Sequence, residues 1–182
     1  MLTSAERLKN IVHDLMDAME VEMGAKLKPE PTDVAKLVED AINTLRPNYE
    51  KKKIYLKYQP PDKPLPLISA DPSFLTHVFI NLVDNACNYT EAGGAEIKLY
   101  QEKNQVVFEI TDTGIGITSE EKEKLFEKFI RAKRAMLIQP DGSGLGLFIV
   151  KKIIKAHGGE ITLTSAGENK GTAFRVYLPI KL

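Results

Sequence analysis

Apolar residues near the N-terminus recur at helical spacing. Between residues 4 and 23 they form one stripe, which consists of Leu8, Ile11, Val12, Leu15, Met16, Met19 and Met23. A period close to 3.6 residues predicts an amphipathic helix, and Gly24 is suited to end it. This apolar face is expected to pack either against a partner helix or against the rest of the same domain. A charged, proline-bearing connector follows at residues 26–31.

Beyond this connector the pattern predicts a mixture of helices and strands. Thr32 or Asp33 can cap one helix, which Pro47 should kink or end, and Asp71-Pro72 suits the start of another. Further helices are predicted at 120–129 and 144–156, and strands at 54–58, 95–100, 105–111, 160–164 and 172–178. Residues 131–141 show no clear period. The order predicts an α+β fold, a two-layer α/β sandwich in which helices cover one face of a mixed β-sheet.

Composition and charge narrow the class of protein. The chain has 182 residues, and its 25 basic and 25 acidic side chains give a net charge of +0, so no nucleic-acid partner is expected. No apolar run approaches the roughly 18–20 residues of a membrane span, and the N-terminus lacks the apolar core of a secretory signal. Cys87 is the only cysteine and is interpreted as a small buried hydrophobe. We therefore expect a cytoplasmic domain without an internal disulfide.

Asn81 and Asn85 are four residues apart in the helix predicted after Asp71, which places both amides on one helix face. A neutral amide oxygen can hold Mg²⁺ while phosphates supply the negative charge, whereas two carboxylates there would repel a triphosphate. The alternative is that both amides only bond to nearby backbone. Asp84 and Asn88 lie close by, and one of them can face solvent without a role.

Asp112 ends a predicted strand and precedes Gly114 and Gly116. A buried carboxylate at this point can accept a hydrogen bond from the exocyclic amine of adenine, where guanine has a carbonyl instead. The glycines would let the backbone pass close to a flat base. Because Asp-x-Gly is also a common turn sequence, a purely local role for Asp112 stays open.

Alternating glycines precede the helix predicted at 144–156. The main-chain N–H groups of Gly142, Gly144 and Gly146, together with the N-terminus of that helix, can meet phosphate. A plain flexible linker is the alternative.

The stretch between these glycines and Asp112 carries two aromatic rings, and a group of cations follows them at 131–134. Phe126 and Phe129 are three residues apart and can dock a short helix on the core. Arg131, Lys133 and Arg134 either reach phosphate when the following loop closes or remain solvated.

Taken together, residues 81–90, 112–117 and 142–147 resemble, in order and spacing, the N, G1 and G2 boxes of sensor histidine kinases. The resemblance covers about residues 4–180. It implies the Bergerat ATP-binding fold for residues 26–182, with ATP and Mg²⁺ as ligands. It also implies that residues 1–25 are a remnant of the second helix of a dimerisation hairpin.

The resemblance implies roles for individual residues as well. Asn85 would be the Mg²⁺ ligand, Asn85 and Arg131 would act in catalysis, and Asp112 would read adenine. Residues 130–143 would form a lid over ATP. The whole implied nucleotide site comprises Asn81, Asn85, Asn88, Tyr89, Asp112, Gly114, Gly116, Ile117, Phe126, Phe129, Arg131, Gly142, Ser143, Gly144, Leu145 and Gly146.

Two features depart from the family pattern. Asn88 stands where members often have a lysine that helps to hold phosphate, so ATP binding would suffer unless Arg131 compensates. The residues around His13 look like the start of a phosphoacceptor box, but no proline follows at the expected distance, and His13 is interpreted as structural. His157 is expected at a helix end and His77 on a helix surface.

The implied function is transfer of the ATP γ-phosphoryl group to a histidine on a dimerisation helix that this chain lacks. A response-regulator receiver domain would be a further partner, and the full-length protein would be a homodimer. The chain alone is expected to bind ATP without autophosphorylating. Two alternatives remain: an ATPase of the same superfamily, which would need a glutamate where Asn81 stands, and a non-catalytic interaction module. A His-Asp/Glu-x-x-x-Pro segment upstream of Leu8 would favour the kinase.

Overall fold

The computed structural model describes residues 27–140 and 142–180, apart from the side chain of Lys133. The helix predicted at 4–23, His13 and the boundary predicted at residue 25 lie outside this part of the chain. The elements in chain order are β1 (Glu30–Thr32), α1 (Val34–Lys52), β2 (Tyr55–Gln59), β3 (Ile68–Ala70), α2 (Pro72–Asn88), β4 (Gly94–Glu102), β5 (Gln105–Asp112), α3 (Ser119–Lys124), α4 (Lys133–Ile138), α5 (Gly146–Ala156), β6 (Glu160–Thr164) and β7 (Thr172–Pro179). Within the described residues no helix is long and apolar enough to cross a membrane.

The main sheet has five strands in the order β2-β4-β5-β7-β6. The β2–β4 pair is parallel and the other pairs are antiparallel, so the mixed sheet predicted from the sequence is confirmed. The register places Asp112 of β5 opposite Thr172 of β7. A short second sheet pairs β1 with β3, and the sequence pattern predicted neither of these two strands.

Helices α1, α2 and α5 share one core with the sheet. Residues of β7 alternate between buried and partly exposed positions, as expected when one face of a sheet is covered. Helix α2 buries the apolar side predicted for it, and the Phe79 ring lies 4.9 Å from the Phe108 ring of β5. Cys87 is buried in the same core, and burial raises the pKa of its thiol, which agrees with its interpretation as a hydrophobe.

Asp71 fixes the start of α2, as its sequence predicts. Its Oδ1 accepts hydrogen bonds from the amides of Ser73 and Phe74, and Pro72 occupies the first turn. The backbone N–H of Asp71 donates to Nε2 of His157, which caps the end of α5. His157 therefore lies at a helix end, as expected, and it joins the start of α2 to the end of α5.

Pro47 does not end α1, contrary to one of the two expected outcomes. The helix continues to Lys52 and closes at Lys53 in the left-handed conformation. Contacts to α2 hold this last turn in place. Buried Tyr49 donates from its hydroxyl to the Val83 carbonyl at 2.7 Å, and Lys52 donates to the Cys87 carbonyl at 2.7 Å. These tertiary contacts offset the cost of a proline in the helix interior.

The helix predicted at 120–129 is also shorter than expected. Helix α3 ends at Lys124, and Phe129 adopts a positive φ of 62°, which no α-helix accommodates. The unperiodic residues 131–141 contain the short helix α4 instead. The helix predicted from residue 144 begins at Gly146, because Gly144 has a φ of +73°.

Candidate nucleotide-binding site

A cavity of about 360 Å³ lies where α2, the loop after β5, the residues around α4 and the first turn of α5 meet. Most residues of the predicted nucleotide site line it. These are Asn81, Asn85, Asn88, Tyr89, Asp112, Gly116, Ile117, Arg131, Gly142, Ser143, Gly144 and Gly146. The fold therefore brings three distant sequence stretches to one cavity. We call residues 130–143 the lid segment.

The amides of α2 are paired within the helix. Nδ2 of Asn85 donates to Oδ1 of Asn81 at 2.9 Å, and Nδ2 of Asn88 donates to Oδ2 of Asp84 at 2.7 Å. The first bond leaves Oδ1 of Asn85 as the oxygen for a ligand. Burial raises the pKa of Asp84, whereas the bond from Asn88 and the nearby Lys52 lower it.

Asp112 has the local role that its sequence left open. Its Oδ1 accepts hydrogen bonds from the amides of Gly114 at 2.8 Å and Thr172 at 3.2 Å, so this oxygen organises the loop. Both bonds fall on Oδ1, which leaves Oδ2 for a ligand. Burial raises the pKa of Asp112 to about 6, and the two backbone bonds oppose that rise.

The glycines of this loop permit close backbone contacts. A Cβ on Gly114 would lie 2.3 Å from the Tyr89 carbonyl oxygen, and one on Gly116 would lie 2.0 Å from the Gly167 carbonyl oxygen. Gly114 itself does not line the cavity. It acts indirectly, because it lets the loop pack against the end of α2, where the Ile115 amide donates to the Tyr89 carbonyl at 3.1 Å.

Gly146 serves the packing of two helices. A Cβ at this position would lie 2.4 Å from Nδ2 of Asn81, so any larger residue would have to displace the Asn81 side chain. Leu145 was predicted at the nucleotide but is a buried core residue, and its amide donates to Oγ of Ser143 at 3.2 Å.

The two phenylalanines also lie away from the cavity lining. Phe126 is partly buried against the core, and the Lys151 ammonium lies 5.2 Å from its ring centroid. This position fits the docking role predicted for the Phe126 ring. Phe129 is 65% exposed, so it does not dock on the core as predicted. Its positive φ directs the chain into the lid segment, and its amide donates to the Gly144 carbonyl, beyond the other end of that segment, at 3.0 Å.

Arg131 lines the cavity, but its recorded hydrogen bonds stay within the lid segment. The guanidinium donates to the carbonyls of Gly142 at 3.1 Å and Ala135 at 3.1 Å, and also to those of Gln139 and Pro140. Carbonyl groups within and after the short helix α4 thus accept hydrogen bonds from one side chain. The phosphate contact expected of Arg131 would compete with these bonds.

Several lining residues were not predicted from the sequence. Among them are Asp84, Ile115, Leu125, Ile130, Ala132, Ala135, Gln139, Leu147, Thr172 and Phe174. Thr172 reaches the site because β7 pairs with β5 in the register opposite Asp112. Long-range pairing of this kind leaves no local sequence signal. The sequence indicates no role for Asp84, although this residue adjoins Asn85 and lines the cavity.

The protein side chains at this site suit a metal ion whose coordination comes mainly from phosphates and water. No group of three or more His, Cys, Asp or Glu side chains able to hold a metal occurs among the described residues. Asn85 offers one neutral oxygen, which suits Mg²⁺ when phosphates and water complete the coordination.

Comparison with known proteins places these observations in a family. Residues 70–182 match the family described as "Histidine kinase-, DNA gyrase B-, and HSP90-like ATPase". Circadian input-output histidine kinase CikA of Synechococcus elongatus is 32% identical over 179 residues, which cover 97% of this chain and 24% of that protein. Adaptive-response sensory kinase SasA of Synechocystis is 32% identical over 176 residues, covering 95% of this chain and 45% of that protein.

Solved structures of histidine kinases have the same fold. Full-length ShkA in complex with AMPPNP superposes with a TM-score of 0.83 at 29% identity, covering 97% of this chain and 36% of that one. Acinetobacter baumannii histidine kinase AdeS gives a TM-score of 0.79 at 25% identity, covering 98% and 81%. The chain thus spans between about a quarter and a half of the length of the curated relatives given above.

Proposed function

Because the chain belongs to the family of histidine kinase-, DNA gyrase B- and HSP90-like ATPases, we propose that it is the ATP-binding catalytic domain of a sensor histidine kinase. One observation carries the proposal. Asn85 of α2, Asp112 at the end of β5 and Gly144 before α5 line the same cavity. An amide oxygen, a buried carboxylate and a glycine-rich loop in one cavity match the needs of metal, adenine and phosphate.

Asp112 is the proposed adenine reader. The amides of Gly114 and Thr172 fix its Oδ1, so Oδ2 is the acceptor for the exocyclic amine. Guanine carries a carbonyl oxygen at that position, which would face a carboxylate oxygen without a hydrogen between them. The site is therefore proposed to prefer ATP over GTP. Tyr89 and Ile117 would line the base, and the carboxylate form of Asp112 is the form that binds.

Asn85 is the proposed metal ligand, and its bond to Asn81 would hold it in orientation. Bound Mg²⁺ would neutralise charge on the triphosphate and polarise the bond to the γ-phosphoryl group. The glycines at 142, 144 and 146 and the Arg131 side chain would contact the phosphates, for which Arg131 must leave its backbone carbonyls. With Asn88 in place of the usual lysine, Arg131 would be the cation that neutralises phosphate charge.

The wider setting is proposed from the relatives, which are sensor kinases. The phosphoryl acceptor would be a histidine on a dimerisation helix of the full-length protein, which would act as a cytoplasmic homodimer. A receiver domain of a response regulator would take the phosphoryl group from that histidine. Residues 1–25 would belong to the dimerisation hairpin, and residues 26–182 would form the catalytic domain.

The direct test is binding of a fluorescent ATP analogue to the 182-residue chain with and without Mg²⁺. We expect the chain to bind the analogue more tightly when Mg²⁺ is present. Asn85→Ala should lower the affinity about tenfold and abolish most of the increase that Mg²⁺ causes. Lys57→Gln, which alters an exposed ion pair with Glu96 on the sheet, is the matched control and should bind normally. Absence of binding by the unaltered chain contradicts the proposal.

A second assay separates kinase from ATPase. The chain is incubated with γ-labelled ATP, alone and with a dimerisation hairpin that carries a phosphoacceptor histidine. We expect label on the added hairpin, none on the chain and little free phosphate, because Asn81 stands where a water-activating glutamate would be needed. Steady phosphate release without transfer would favour the ATPase instead.

A further inference from the structure

Arg134, in the lid segment, contacts residues outside that segment. Its guanidinium donates to Oδ1 of Asn169 at 2.8 Å and to the Ile115 carbonyl at 3.4 Å, and it lies 3.8 Å from a carboxylate oxygen of Glu168. Asn169 and Glu168 belong to the turn between β6 and β7, whereas Ile115 belongs to the loop that follows Asp112. One side chain of α4 therefore contacts two separate parts of the body of the domain.

The turn at residues 165–171 is itself bonded to the loop after Asp112. The amide of Asn169 donates to the Ile115 carbonyl at 2.7 Å, and the amide of Gly171 donates to the Gly114 carbonyl at 3.1 Å. Oγ of Ser165 accepts from the Ile117 amide at 3.0 Å. Turn and loop thus form one hydrogen-bonded unit, and the next residue along, Thr172, donates to Asp112.

The conformation of Asn169 suits this contact. Its φ is +57°, a region that asparagine and aspartate adopt more readily than other residues with a side chain. The same residue thus satisfies the backbone of the turn and supplies the acceptor for Arg134. Glycine would keep this backbone but lose the acceptor, and aspartate would keep both.

We propose that Arg134 is a positioning residue for nucleotide binding, which docks the lid segment on the turn that supports Asp112. This rests on the function proposed above. The contact lies on the side of the cavity that would hold the base, since its partners adjoin the Asp112 loop. Arg134 therefore contributes to binding of any adenine nucleotide, irrespective of its phosphate number. Arg131, in contrast, would distinguish ATP from ADP.

The test compares affinities of the 182-residue chain for Mg·ATP and Mg·ADP by calorimetry. Arg134→Ala should weaken both by about fivefold, the range of an exposed charged hydrogen bond, and alanine does not weaken the helix itself. Asn169→Gly should have a similar effect, and the double variant should be no worse than either single one. Asn169→Asp should bind at least as tightly as the unaltered chain, because a carboxylate strengthens the bond to arginine.

Hydrogen exchange at residues 133–138 provides the second readout. Arg134→Ala and Asn169→Gly should accelerate exchange there, whereas Asn169→Asp and the control Lys57→Gln should not. Unchanged affinities in Arg134→Ala, additive losses in the double variant, or a loss confined to ATP would each overturn the positioning role. Failure of the unaltered chain to bind either nucleotide would instead contradict the proposed function, so the two failures are distinguishable.

Discussion

The cavity has a floor and a lid that are built in different ways. The floor, formed by α2 and β5, is held by buried side chains such as Phe79 and by the two backbone bonds to Asp112. The lid segment exposes apolar side chains, with Leu137 81% exposed, and arginine bonds to backbone carbonyls hold it together. A rigid floor can present fixed ligand atoms, whereas a lid with few buried contacts can open and close at low cost.

Truncation of a large apolar side chain to alanine should give the largest difference in stability between floor and lid. Phe79→Ala removes a fully buried ring that contacts Phe108 and should lower the free energy of unfolding by about 3–5 kcal/mol. Leu137→Ala should change it by less than about 0.5 kcal/mol, because that side chain is exposed. Urea unfolding of both variants measures the difference. Equal losses would mean that the lid is as firmly packed as the floor.

Glycine substitutions should show the same contrast with a smaller effect. Gly171 packs against the end of β5 in the floor: a Cβ there would lie 1.9 Å from the backbone oxygen of Asp112, at a φ of +68°, so Gly171→Ala should cost about 3 kcal/mol. At Gly142 the atoms nearest to the new Cβ belong to the Arg131 guanidinium, at 3.0 Å, which can shift by a few tenths of an ångström, so Gly142→Ala should cost less than about 1 kcal/mol. Thermal unfolding tests both. A lid glycine as sensitive as Gly171 would remove the distinction.

Asp112→Asn should reduce ATP affinity by about ten- to a hundredfold while keeping the floor folded. The amides of Gly114 and Thr172 demand an oxygen, so the new Nδ2 would occupy the place of Oδ2 and meet the adenine amine donor to donor. Calorimetric titration with ATP and GTP measures the change, and the preference for ATP over GTP should shrink. ATP affinity equal to that of the unaltered chain would exclude Asp112 as the adenine reader.

Asp112→Asn should lower ATP affinity but raise the stability of the fold, and the gain in stability should depend on pH. Burial raises the pKa of Asp112 from 3.8 to about 6, so this group makes the folded state less stable as pH rises from about 4 to 6. Asparagine carries no charge to bury. The difference in free energy of unfolding between Asp112→Asn and the unaltered chain should therefore shift in favour of the variant by on the order of 1–2 kcal/mol from pH 4 to pH 7.5. Thermal unfolding at both pH values checks this, and a pH-independent difference would speak against a buried charge.

Arg131→Gln should have the smallest effect on the fold and act only in the lid. Loss of the donor to Ala135 and Gly142 should accelerate hydrogen exchange across residues 135–142 and leave α2 unchanged. If Arg131 also reaches phosphate, ATP affinity should fall by about fivefold and ADP affinity less. Exchange that accelerates equally in α2 would show that lid and floor open together.

The floor could be predicted from the sequence, because its signals are local. Helix α2 has a regular apolar period after Asp71 and Pro72, and the β4–β5 hairpin has strands separated by a short turn. Asn85 and Asp112, which both line the cavity, have local signals of the same kind. In contrast, β1 and β3 are three residues long and lie 38 positions apart, so neither has a pattern that alternation can reveal.

The resemblance indicates a lid at residues 130–143, but its internal structure could not be predicted, because that structure depends on contacts between distant residues. Helix α4 buries Ala135 but exposes Met136 and Leu137, so it has no apolar stripe to recognise. The carbonyl partners of Arg131 and the bond from Arg134 to Asn169 depend on how the chain folds back. Pro47 was expected to kink or end α1, and it does not end the helix for a related reason, since buried contacts override local propensity.

An NMR titration of the 182-residue chain with Mg·ATP tests the central claim most directly. If one cavity holds the nucleotide, backbone amide shifts should change together at Gly114 and Gly116, at Gly144 and Gly146, and at the side-chain amide of Asn85. Residues on the far edge of the sheet, such as Lys57, should not respond. Shifts that spare any of these three stretches, or that concentrate on the open face of the sheet, would contradict the account.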